Sequence, residues 1–92
     1  MNTQFPSRAQ VEFTRSSYPP GTRIELSHMD DPYAVPAGTR GTVRSVDDAA
    51  QIWVTWDNGR SLAVIPGVDS FRKLTQQEIA QEQKVSMEEM KL

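Results

Sequence analysis

The chain has 92 residues, of which 37% are hydrophobic and 24% charged, with a net charge of −2 and no cysteine. That is enough for one domain with one modest core, and too little for an enzyme with separate cofactor and substrate domains. Disulfide frameworks, thiolate zinc sites and cysteine nucleophiles are excluded, which suits a reducing compartment, so the cytoplasm is the expected location.

Residues 1–5 show no basic region leading into an apolar stretch, and no window approaches the roughly 18 apolar residues of a membrane helix. Neither export nor membrane spanning is expected. Charge is slightly positive over residues 1–17, slightly negative over 18–74 and negative over 75–92. A nucleic-acid footprint needs clustered Lys and Arg, because counterion release supplies most non-specific affinity. That requirement is poorly met.

Ser7 with Gln10 three residues on forms a capping box, predicting a short helix from Ser7 to about Ser16 that must stop by Tyr18, before Pro19, Pro20 and Gly21. Residues 22–27 alternate, with Ile24 and Leu26 on one face and Arg23 and Glu25 on the other, as a half-buried strand requires. Residues 29–38 hold two prolines, two aspartates and a glycine, and read as a long ordered loop in the position of the RT loop of SH3-like barrels.

The densest β signal runs from Thr39 to Ile65. A second strand covers residues 40–46, where the spacing of Val43 and Val46 breaks alternation and predicts a bulge or bend. In the third, Ile52, Val54 and Trp56 share the core face, so Trp53 points outward. Asp57-Asn58-Gly59 is a hairpin signal in which both Asn58 and Gly59 tolerate positive φ. A fourth strand covers 61–65, a single 3₁₀ turn is expected at 66–69, and a fifth strand covers about 71–74. Thr75 and Glu78 form a second capping box, with Leu74 and Ile79 as its hydrophobic staple. The helix that follows has a thin apolar stripe of Ile79, Met87 and Met90, interrupted by Gln83, and its end is expected to fray.

The reading is mainly β: a five-stranded SH3-like barrel with a short N-terminal helix and a C-terminal helix. Residues 1–17 form an N-terminal arm, 18–74 the barrel and 75–92 a helical tail. The segments Asp30-Asp31-Pro32-Tyr33, Pro36 to Val43, Trp56-Asp57-Asn58-Gly59 and Phe71-Arg72-Lys73-Leu74 resemble those of a domain-of-unknown-function family, DUF4314, of small proteins from Gram-positive bacteria, phages and conjugative elements. The resemblance covers nearly all of residues 5–74. It implies an SH3-like barrel and a mobile-element origin, and brings no catalytic residues. Two departures stand out: the 33–38 loop is one residue shorter than the usual form, and Trp53 stands where relatives often carry a polar residue or histidine.

Six residues are candidates for partner binding. An outward Trp53 offers a rigid amphipathic surface of the kind enriched at hot spots, or else packs beneath a terminal helix. Tyr33 lies in the loop that lines the proline-peptide groove of SH3 domains, beside Asp30 and Asp31, but suits the role of a loop anchor better. Arg40 and Arg44 should share one strand face, and with Arg23, Arg60, Arg72 and Lys73 they are the barrel's basic residues. His28, Asp30 and Asp31 form a weak metal-like cluster with too few ligands, and the two aspartates suit capping of the loop backbone better. Asp47 and Asp48 read as solvated turn residues rather than a carboxylate dyad. No Gly-x-Ser-x-Gly, phosphate loop or paired-histidine motif is present, so no enzyme, cofactor or metal is expected. The expectation is a protein-interaction module of phage or mobile-element origin, with inhibition of a host defence protein as one such role. The alternative is a nucleic-acid-binding barrel, which the charge disfavours.

Overall fold

A computed structural model describes residues 6–90, with side chains described through Val85. Helix α1 spans Arg8–Ser17. Its capping box closes in both directions, Gln10 N donating to Ser7 Oγ at 3.1 Å and Ser7 N to Gln10 Oε1 at 2.8 Å. Pro19 disfavours helical torsions at Tyr18, which instead adopts φ −128° and ψ 66° and ends the helix one residue later than the sequence predicts. Val11 and Thr14 are the buried residues of α1.

Five strands follow: β1 Arg23–His28, β2 Arg40–Val46, β3 Ile52–Trp56, β4 Ser61–Val64 and β5 Ser70–Lys73. All neighbours pair antiparallel in the order β4-β3-β2-β1-β5. The β2-β3-β4 meander continues through β1 to β5, which is an SH3-like barrel. Register shifts fall between Val43 and Ser45, at the predicted bulge, and between Leu26 and His28, which no sequence signal marked. The inner faces of the strands join Met29 and Val35 from the long loop in one cluster around Ile24, Leu26, Val43, Ile52, Val54, Trp56 and Val64. Trp56 is fully buried, and its indole N–H donates to Leu62 O at 3.1 Å, so the core carries no unpaired indole donor.

The turns carry chemistry beyond their glycines. Pro19-Pro20-Gly21-Thr22 and Pro36-Ala37-Gly38-Thr39 are alike: the Thr N–H and hydroxyl both donate to the Pro carbonyl, and the glycine has φ near +90°. Positive φ at the third position of such a turn is the type II signature. Instead of the 3₁₀ turn expected at 66–69, the same kind of turn forms over Ile65-Pro66-Gly67-Val68. Val68 N donates to Ile65 O at 3.0 Å, and Gly67, with φ +85°, has left the helical region. The β3–β4 hairpin also differs from expectation, because Gly59 takes positive φ whereas Asn58 does not. Gly59 N donates to Trp56 O and Trp56 N to Arg60 O, a three-residue loop with the glycine bulge. Asn58 uses its side chain instead, accepting from Arg60 N at 3.1 Å.

Helix α2 spans Gln76–Met90. Its predicted capping box forms, Thr75 N donating to Glu78 Oε1 at 2.8 Å and Glu78 N to Thr75 Oγ1 at 3.0 Å. Leu74 is buried and Ile79 half-buried. The apolar contributions of Met87 and Met90, and the fraying expected at the chain end, lie outside the described side chains and residues. Among the described residues no helix is long and apolar enough to cross a membrane.

Candidate functional site

Period-two alternation places Trp53 on the outer face of β3, between Ser45 of β2 and Ala63 of β4. The residue is 39% exposed. The indole is held by Asp47: Nε1 donates to Asp47 Oδ2 at 3.1 Å. Asp47 is a hub as well as a turn residue, for its Oδ1 accepts from Ala49 N at 3.0 Å and Gln51 N at 2.9 Å. Partial burial pushes this carboxyl up, but the Gln51 amide, the Trp53 indole and the Ala49 amide outweigh it and leave the pKa below its ordinary value. An aromatic ring with a locked polar edge loses little entropy on meeting a partner. Ile65, the residue after β4, is 38% exposed.

The other candidates are not gathered at this site. Tyr33 is 71% exposed at the tip of the loop, its N–H donating to Asp31 Oδ1 at 2.7 Å and its carbonyl accepting from Arg60 Nη2. Asp31 thus caps the loop, while Asp30 is exposed. Among the described residues, the aromatic pair that forms is Tyr18 with Phe71, ring centroids 5.7 Å apart, with Lys73 Nζ 4.9 Å above the Tyr18 ring. Neither Tyr33 nor Trp53 joins it. His28, Asp30 and Asp31 do not converge, and among the described residues no set of three His, Cys, Asp or Glu side chains is placed to hold a metal ion.

Arg40 and Arg44 are separated in environment. Arg44 is exposed and lies where the ladder shifts register, whereas Arg40 is part of an ion network that sequence reasoning missed. Arg40 Nε bonds Glu25 Oε1 at 3.0 Å, and its terminal nitrogens reach Glu78 at 3.4 Å and Glu82 at 3.5 Å. Arg72 grips Glu78 with two bonds of 2.7 Å. Arg23 clamps Asp57 at 2.8 and 2.6 Å and also holds Glu82, with Nε at 3.1 Å from Oε1. These arginines project from β1, β2 and β5, and Glu78 and Glu82 lie one turn apart on α2. The sequence signal was a Glu pair four residues apart, but only strand register brings Arg23, Arg40 and Arg72 to one face.

Fold and surface together define a small SH3-like barrel with a pinned aromatic on one outer face and a charge-held helix on another. The chain belongs to the family described as Domain of unknown function (DUF4314), whose model matches residues 7–74. Among curated proteins none matches it. The matched span ends at Leu74, before α2 begins.

Proposed function

We propose that the protein is a non-enzymatic protein-interaction module that engages its partner through the outer face of β3 and β4, with Trp53 as anchor. The supporting observation is the indole, exposed on a rigid strand and fixed by Asp47. The mobile-element setting implied by the family resemblance makes a host protein the partner class, a defence nuclease among them, and the cysteine-free chain accords with a cytoplasmic encounter. Nucleic-acid binding has less support, because Arg23, Arg40 and Arg72 are neutralised by carboxylates and Arg60 is spent on loop carbonyls.

The test is affinity capture from host lysate with the wild-type chain and with Trp53→Ala. A partner held by the wild type should be lost by the variant, while the thermal unfolding midpoints stay close, since the side chain leaves no core cavity. Equal recovery of every partner by a folded Trp53→Ala protein rejects this surface. A parallel polarisation titration with a labelled oligonucleotide at several salt concentrations tests the nucleic-acid reading. Tight, salt-steep binding by the wild type would favour that reading instead.

A further inference from the structure

Helix α2 rests on the barrel mainly through charge. Among the described side chains, those it sends to the sheet are Glu78 and Glu82, with Ile79 half-buried beside them, while Ala80 and Val85 are exposed. Helices that dock permanently do so by burying an apolar stripe, and the described part of α2 has little of one. The bonds that hold it are partly exposed ion pairs, with side-chain exposures of 19% for Arg23, 31% for Arg40 and 44% for Arg72, so salt screens them and other carboxylates can replace them. The arginines lie within the span matched by the family, and the acidic helix that covers them lies beyond it.

We infer that the outer face of β1, β2 and β5 is a second binding site, for an acidic helical segment of a partner protein, and that α2 occupies it in cis as an autoinhibitory strap. The recognition chemistry is visible in the present occupant. Arg72 takes one carboxylate through its fork, Arg23 takes a second one helical turn away, and Arg40 bridges both. Ile79, one residue after the first glutamate, borders a groove with Arg23, Thr42 and Asp57. A competing segment therefore carries carboxylates four residues apart with an apolar residue following the first. Glu25 on β1 and Asp57 in the β3–β4 loop stay with the barrel when α2 leaves, so three guanidiniums then face two carboxylates. That small positive excess suits a pair of carboxylates better than the continuous charge of a phosphate chain.

The probe is a labelled synthetic peptide of residues 75–92 of this chain, titrated against the full wild-type chain and against full-length Glu78→Gln/Glu82→Gln. The double variant should bind it about tenfold or more tightly than the wild type, the factor expected when a strap occupying the site about nine-tenths of the time is released. Affinity should fall with salt, and a peptide with both glutamates changed to glutamine should not compete. Sheet integrity is read from circular dichroism and tryptophan emission. Should the variant not fold, hydrogen exchange on the wild type decides. Moving to about 1 M salt, where the Debye length is roughly 3 Å, should speed α2 amide exchange about tenfold and leave β1, β2 and β3 protected. A folded variant that ignores the peptide, or α2 protection indifferent to salt, overturns the strap. Preference of the variant for a single-stranded oligonucleotide over the peptide overturns the assignment of the ligand.

Discussion

Asp47 shows how much one side chain can organise. It closes the β2–β3 turn through two backbone amides and locks Trp53 through a third bond. The same turn places Ala50 at φ 59°, a left-handed torsion for a residue with a Cβ, at a cost of about 1–2 kcal/mol. The geometry repeats that around Gly59: Ala50 N donates to Asp47 O, and Asp47 N to Gln51 O. The Asp47 amide bonds offset the strain. Asp47→Ala should therefore cost about 1–3 kcal/mol in urea unfolding, and free the indole, with a change in Trp53 emission. Unchanged stability and emission would show that the hub is idle. The sequence marked Asp47 as a turn former, but its reach to residue 53 depends on strand pairing and could not be seen in local spacing.

For α2, local and tertiary determinants separate cleanly. Its start is written in Thr75 and Glu78, a box that closes within four residues and needs nothing else. Its docking depends on ionisation. The Arg72 guanidinium, with the Thr75 amide, holds the Glu78 carboxyl down to about 2 from an ordinary 4.5, and Arg23 holds Glu82 and Asp57 below their ordinary values. Lowered carboxyl values in the folded state mean that the docking contribution is complete above the ordinary value and is lost as pH falls through the folded one. Acidification from about pH 4.5 towards 2 should thus release α2 before the sheet unfolds. Amide exchange of α2 against that of β1 and β3 measures this. Constant α2 protection across the window would place its anchoring in apolar contacts instead.

The barrel closes through contacts that span the chain. Gly41 lies opposite Ile24 on one side and Trp56 on the other, and a Cβ there would meet Val54 Cγ1 at 2.6 Å and Trp56 Cε3 at 2.8 Å. Gly41→Ala should overpack this crossing and cost about 1–3 kcal/mol, a large share of the roughly 5–15 kcal/mol that holds a domain of this size. Chemical unfolding reads the loss directly, and a neutral result would mean that the strands separate at little cost.

Alternation and turn chemistry were sufficient to place the helices, the five strands, the core residues Ile24, Leu26, Ile52, Val54 and Trp56 and the outward Trp53, because each depends on neighbours within a few residues, but they did not mark Met29 and Val35 of the long loop as core. The turn after Ile65 was legible locally too, since Pro66 and Gly67 at its second and third positions are a type II signature, whereas the φ at Asn58, the Asp47–Trp53 bond and the arginine face under α2 were decided only by tertiary structure. Each follows from which strand lies beside which and in what register. Side chains such as Arg23 and Glu82, 59 positions apart, meet only after the sheet has curled.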